Sequence, residues 1–212
     1  MSLPDLTWER ELLATHAGAL VGIDEVGRGA LAGPVTVGGV LISADTPDAP
    51  DGVNDSKCVS ARRREALVPV IKQWADAWSI VHVPASVIDA VGIMAALSLG
   101  ARQVAASLLT GQRGVILLDG NQDFVSDGSP SAYSGDWRVV TREKADATCA
   151  SVAAASILAK VARDAVMVQL HRAMPSYGWE GNKGYGSAAH RAAIAEAGST
   201  VWHRRTWRLL PD

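Results

Sequence analysis

Two apolar runs around a glycine-rich stretch constrain this chain more than any other feature. Ala19-Leu20-Val21-Gly22-Ile23 leads straight into Asp24-Glu25 and then Val26-Gly27-Arg28-Gly29. Pro34-Val35-Thr36-Val37-Gly38-Gly39-Val40-Leu41-Ile42 follows. The second run is too apolar for an exposed edge. The two therefore read as strands, at 21–24 and 35–42, joined by a Gly-rich turn. Neighbours on a regular strand point to opposite faces. Asp24 and Glu25 can then serve one site only if the strand ends there, which Gly27 and Gly29 permit.

Further along, residues 43–55 are rich in Pro, Asp and Gly and form a loop. Ser60 reads as the N-cap of a helix reaching about Trp74, and 77–83 as a third strand. A short helix or turn at 84–92 and a longer helix at 93–109 follow. The buried strand 115–118 ends at Asp119-Gly120-Asn121, before a polar loop at 122–136. A strand at 137–140 comes next. Asp146 then reads as the cap of a long Ala-rich helix, 147–170, and 187–197 as the last helix. Strands and helices are mixed and no repeat is present, so the class is α/β.

With 212 residues, 48% of them hydrophobic, the chain fits one domain, or one domain with a small appendage. Phe124 is the only Phe, so the core is aliphatic. A net charge of −2 argues against coating nucleic acid by bulk charge. It leaves room for a local basic groove, for which Arg62-Arg63-Arg64 and His203-Arg204-Arg205 with Arg208 are candidates. Cys58 and Cys149 lack metal-ligand spacing, so zinc is not expected, and both read as buried or free thiols. Residues 1–10 hold no apolar signal core, and no run of about 20 apolar residues occurs. The expectation is a cytoplasmic protein without a membrane span.

The chemistry gathers at the ends of elements. Asp24, Glu25 and Asp119 close apolar strands, and Asp146 opens a helix. Carboxylates suit a hard divalent cation. The Gly-Arg-Gly turn suits a phosphate, because its backbone N–H groups can approach closely and Arg28 adds charge. Converging, the four carboxylates would hold two Mg²⁺ ions about 3.5–4 Å apart, the arrangement for in-line phosphoryl displacement. Taken singly, Asp146 reads as a helix cap and Asp119 as a turn residue. The Asp24-Glu25 pair is less easily dismissed in this way, since an apolar strand gains nothing by ending on two carboxylates. Lys160 and Arg163 share a helix face, either solvated or turned to phosphate. Arg62–Arg64 read as a solvated helix start. His190 and His203 read as capping or surface residues.

Several blocks resemble bacterial ribonuclease HII. Residues 22–35 are similar to that family's first signature, Asn54-Asp55-Ser56-Lys57 to its D-S-K segment, and Leu117-Leu118-Asp119-Gly120-Asn121 to its central Asp strand. Lys144-Ala145-Asp146 with residues 151–164 resembles the third block, and Gly184-Tyr185-Gly186-Ser187 with His190 the G-Y-G-T segment. The blocks occur in family order from about residue 19 to 207. Ala30 stands where many relatives carry Pro, Ser187 replaces the usual Thr, and Trp207 lies near a position usually held by Phe.

The resemblance implies a ribonuclease H-like fold: a mixed five-stranded sheet flanked by helices, with a small helical C-terminal part. It implies one catalytic domain over residues 1–212, with about 175–212 contacting substrate. It implies a metal-dependent endonuclease, using two Mg²⁺ or Mn²⁺ ions, that cuts the RNA strand of RNA–DNA hybrids. Incision 5′ of a single ribonucleotide in duplex DNA, leaving 3′-hydroxyl and 5′-phosphate ends, is implied as well. By position, Asp24, Glu25, Asp119 and Asp146 would bind metal, and Gly27, Arg28 and Gly29 would read the ribose 2′-OH and its phosphates. Tyr185 would pack on the sugar of the next nucleotide, and Lys57, Lys144 and Lys160 would contact substrate. The 2′-OH is the handle that separates RNA from DNA. A monomer is expected.

Three other readings compete. A dinucleotide-binding oxidoreductase is disfavoured because Gly27-x-Gly29-x-x-x-Gly33 lacks the required spacing and leads into a strand. A non-catalytic nucleic-acid-binding module would not need strand-end carboxylates, which repel phosphate. A relative within the same fold, such as an exonuclease or the hybrid-only type III enzyme, is disfavoured by the Gly-Arg-Gly turn and Tyr185.

Overall fold

The computed structural model describes residues 3–16, 18–126 and 135–210. Its centre is a five-stranded sheet in the order β3-β2-β1-β4-β5. The strands are β1 (Ala19–Val26), β2 (Val35–Ile42), β3 (Ala77–Val83), β4 (Gly114–Asp119) and β5 (Trp137–Arg142). The pairs β1–β2 and β2–β3 are antiparallel, whereas β1–β4 and β4–β5 are parallel. The helices are α1 (Thr7–Thr15), α2 (Ala61–Trp74), α3 (Ala85–Val91), α4 (Ile93–Leu108), α5 (Ala145–Thr148), α6 (Ala150–Ala173), α7 (Trp179–Asn182) and α8 (Ala188–Ala197).

Alternate strand residues feed two separate cores, which is why β1 and β2 read as unbroken apolar runs. Leu20, Val40, Ile42 and Leu117 pack with α6 residues such as Val152 and Ile157. Val21, Ile23, Val37 and Leu118 pack with Leu97 and Val104 of α4. Ala-rich α6 lies close on its face: a Cβ at Gly22 would fall 2.4 Å from Ser151 Oγ, and one at Gly38 2.6 Å from the Ala155 carbonyl oxygen. A third cluster, including Leu31, Met167, Tyr177, Trp179 and Ile194, ties the C-terminal segment to the loop after β1.

Four sequence expectations need correction. First, β1 does not end at Asp24 but pairs with β2 through Val26. Second, Asp146 does not cap the long helix; it lies within the separate α5. Cys149 breaks the two helices with extended backbone, bridged to Asp5, and the Ala150 N–H donates to the Asp5 carbonyl at 2.9 Å. The start of α6 is served instead by Glu9, whose Oε1 accepts from the Ser151 N–H and hydroxyl, both at 2.9 Å. Third, Ser60 precedes α2 but makes no capping bond with its side chain. Fourth, the polar loop at 122–136 sends Phe124 and Val125 into the α4 core; its residues 127–134 lie outside the described residues. Among the described residues no single helix is long and apolar enough to cross a membrane.

Candidate active site

The β1–β4 ladder stops at Ile23–Leu118, one residue short of Asp24 and Asp119. At that point the sheet opens into a cleft of about 290 Å³. Its lining includes Asp24, Glu25 and Asp119, the Gly27-Arg28-Gly29 loop, and Lys57, Arg64, Lys160 and Tyr185. Asp146 is reached through its neighbours: its N–H points to Asp119 Oδ1 at 3.4 Å, and its Oδ2 accepts from Lys57 Nζ at 3.0 Å. Asp24 and Glu25 therefore share a site without the strand ending between them. The missing strand neighbour, not a chain reversal, brings them together.

The carboxylates are held against their own preference. Burial pushes the Asp24 pKa well above the usual carboxylate range, with the charges of Glu25 and Asp119 adding to it. Glu25 is raised by burial against the opposing pull of Arg28, and Asp119 is raised by burial and by Asp146. Burial works against the Lys57 ammonium, yet the bond to Asp146 outweighs it and holds its pKa above the ordinary lysine value. Arg28 sits 3.7 Å from Glu25 and donates to Gln122 Oε1 at 3.2 Å. The carboxylates thus repel one another in a partly desolvated cleft whose lining also holds the cations Arg28, Lys57, Arg64 and Lys160.

An all-oxygen donor set of mutually repelling carboxylates fits a hard divalent cation. Among the described residues, however, no three His, Cys, Asp or Glu side chains form a ready-made metal cage. The four carboxylates are neighbours in one electrostatic unit and do not close on a single point.

The Gly-Arg-Gly loop presents donors to the cleft. Among the described residues the N–H groups of Gly27, Arg28 and Gly29 have no protein acceptor, whereas those of Ala30, Leu31, Ala32 and Gly33 all do. Gly27 has φ +86°, and a Cβ there would lie 2.1 Å from Arg163 Nε. A Cβ at Gly29 would meet nothing within 4 Å, so that residue faces open space. Tyr185 is 38% exposed, with the Arg163 guanidinium 5.5 Å from its ring centre.

Several residues take other places than their sequence suggests. Lys144 is exposed, holds a left-handed backbone at the start of α5 and lies outside the cleft. Lys160 lines the cleft and pairs with Asp164 at 2.8 Å. Arg163 is neither solvated nor turned to phosphate: it is buried and bonds backbone carbonyls. Arg64 lines the cleft and donates to the Ser56 carbonyl at 2.7 Å. Of the C-terminal basic cluster, Arg204 is buried.

His190 and His203 are also buried, against Tyr177 and Trp179. Trp179 Nε1–H donates to His190 Nε2 at 3.0 Å, and His190 Nδ1 bonds the Tyr185 carbonyl at 2.9 Å. The Thr200 N–H donates to His203 Nδ1 at 2.9 Å. Both rings are thus satisfied as neutral imidazoles. The one sequence sign of these roles is that Arg163 and His190 fall within the family-like blocks; nothing comparable marks Arg204.

The family model described as Ribonuclease HII matches residues 21–210. The ribonuclease HII of Streptomyces avermitilis is 41% identical over 208 residues, covering 98% of this chain and 84% of that protein. The ribonuclease HII of Roseiflexus castenholzii is 42% identical over 214 residues, covering 100% and 91%. Among solved structures, ribonuclease H2 from Pyrococcus horikoshii OT3 has a TM-score of 0.69 at 25% identity, covering 91% of this chain and 95% of that one.

Proposed function

The chain belongs to the ribonuclease HII family, metal-dependent endonucleases of the RNA strand in RNA–DNA hybrids, and from that premise we propose that it also incises duplex DNA 5′ of a single embedded ribonucleotide. The observation that carries this reading is the meeting, in one cleft, of desolvated, mutually repelling carboxylates with three backbone N–H groups that have no protein acceptor among the described residues. One half suits divalent cations and the other a phosphate and a ribose hydroxyl.

In this reading Asp24, Glu25, Asp119 and Asp146 hold two Mg²⁺ or Mn²⁺ ions. When bound, such ions activate water and stabilise the leaving oxygen in an in-line displacement, which leaves 3′-hydroxyl and 5′-phosphate ends. The N–H groups of Gly27, Arg28 and Gly29 bind the ribose 2′-OH and adjacent phosphates. Tyr185 packs on the following sugar, so that a deoxyribose is accepted there. Lys57 and Lys160 add positive charge beside the scissile phosphate, and Lys144 extends contact outside the cleft. The segment from about residue 175 contributes through Tyr185.

The test is incision of a duplex carrying one ribonucleotide, in Mg²⁺ and in EDTA, with Asp119→Asn alongside. Incision 5′ of the ribonucleotide, absent in EDTA and in the variant, is the expected result. Intact substrate in both Mg²⁺ and Mn²⁺, from folded protein that cuts long hybrids, would sink the single-ribonucleotide reading.

A further inference from the structure

Two arginines that the cleft does not expose lie behind its phosphate-facing wall. Arg204 and Arg163 are each fully buried, and neither pairs with a carboxylate among the described residues. A buried guanidinium without an anion is costly unless its N–H groups find acceptors. Here the acceptors are backbone carbonyls, and of the two guanidinia only Arg204 Nε–H lacks one among the described residues. Arg204 Nη2 donates to the Gly27 carbonyl at 2.6 Å and to that of Gly33 at 3.3 Å, and its Nη1 to that of Arg28 at 2.7 Å. Arg163 donates to the carbonyls of Pro34 at 2.8 Å, Ala32 at 3.1 Å and Lys183 at 2.9 Å.

The direction of these bonds matters. In a trans peptide the C=O of one residue and the N–H of the next point opposite ways. Holding the Gly27 and Arg28 carbonyls inward therefore turns the N–H groups of Arg28 and Gly29 outward, and these are two of the three that lack a protein acceptor. Arg163 fixes the far end of the same loop and ties it to Lys183, two residues before Tyr185. A planar fork spreads its donors over carbonyls set apart along the loop, whereas a lysine's three donors radiate from a single atom.

We propose that Arg204 is a positioning residue for ribonucleotide recognition, presetting the Gly27–Gly29 backbone so that its N–H groups face the ribose and phosphate, with Arg163 bracing the loop. This rests on the reading that the loop contacts the ribonucleotide. It assigns specificity to a residue that does not touch substrate.

The test compares binding of a labelled duplex carrying one ribonucleotide with binding of its all-DNA twin, in EDTA at fixed salt, for the unaltered chain and for Arg204→Lys. The variant's preference for the ribonucleotide duplex should fall about tenfold, the worth of one charged hydrogen bond. Its affinity for the all-DNA duplex should stay within about twofold, because exposed cations still hold the phosphates. A merely structural role would lower the melting temperature and leave the preference of the folded molecules unchanged, and that result would overturn the inference. Should Arg204→Lys fail to fold, Arg204→Gln, which keeps two N–H donors, is read by the same ratio. Equal binding of the two duplexes by the unaltered chain would instead remove the loop's ribonucleotide reading, and the inference with it.

Discussion

The cleft at the strand ends and the buried hub behind it both concentrate polar groups, and they treat them in opposite ways. In the cleft, Asp24, Glu25 and Asp119 are desolvated and repel one another, and their pKa values rise. In the hub, His190, His203, Trp179 and Arg163 bond one another or the backbone, with His203 Nδ1 accepting from the Thr200 N–H. The cleft stores unfavourable electrostatics that a ligand can relieve. The hub spends its polar groups on holding the loop and Tyr185 in place. A site of this kind needs both, since repulsion among carboxylates is useful only if the groups carrying it cannot move apart.

The largest expected effect separates activity from stability. Asp24→Asn should lower metal-dependent incision by more than about 10³-fold, the scale on which a transition-state charge stabiliser is lost. The same change should raise the urea midpoint, because a buried charge with a raised pKa opposes folding at neutral pH. Gel assays and urea titration on one preparation check both. A variant that lost stability together with activity would show that Asp24 supports the fold and would erase the contrast.

Trp179→Ala should do the reverse. Trp179 is fully buried and stacks on Tyr177 at 4.9 Å. Its removal should cost about 3–5 kcal/mol of stability, seen in the urea midpoint. Activity should fall chiefly with the folded fraction, and unchanged stability would refute the hub's role as a brace.

Acid should divide the two regions. Burial lowers the pKa of His190, and burial with the neighbouring His190 pushes His203 down to about 4. The unfolded chain then binds protons that the folded hub refuses. The hub's contribution is complete above about pH 6.5 and is lost as the pH falls toward 4, up to about 3 kcal/mol for His203 at about 1.4 kcal/mol per unit. The cleft carboxylates have the opposite sign: their raised pKa values favour the folded state as the pH falls through them. Between pH 7.5 and 4.5 the urea midpoint of the unaltered chain should fall relative to that of His203→Gln, whatever the carboxylates add to both. A slope unchanged by that substitution would assign the acid sensitivity elsewhere.

The cleft was far more legible than the hub, for a physical reason. Strand-end carboxylates and a Gly-Arg-Gly turn are local departures from what an apolar strand needs, so Asp24, Glu25 and Arg28 stand out in one stretch of sequence. The five strands were legible because each is a short apolar run between Gly, Pro or polar punctuation. The hub joins residues far apart in the chain: Arg204 bonds Gly27 and Arg28, and His190 meets His203. No local pattern marks an arginine or histidine whose partners are distant carbonyls, so these read as surface charge. Asp146 misled for a similar reason, since the bridge between Asp5 and Cys149 that separates α5 from α6 is a long-range contact.

The smallest expected effect tests whether the same local signal has the same energy in both regions. Ser60 near the cleft and Ser187 in the hub each stand just before a helix, with almost identical backbones of φ −63°, ψ 153° and φ −64°, ψ 157°. Ser187 accepts the His190 N–H on its hydroxyl at 3.2 Å, whereas the Ser60 side chain makes no capping bond. Ser187→Ala should therefore cost about 1 kcal/mol, the usual worth of a filled N-cap. Ser60→Ala should cost no more than a few tenths, as for a surface site without a partner. The capping bond also leads into the hub, because the His190 whose N–H it holds bonds Tyr185 through its ring. Urea midpoints for the pair read the difference directly. Equal losses would mean that the two serines cap alike in solution, and that the hub draws no support from the start of α8.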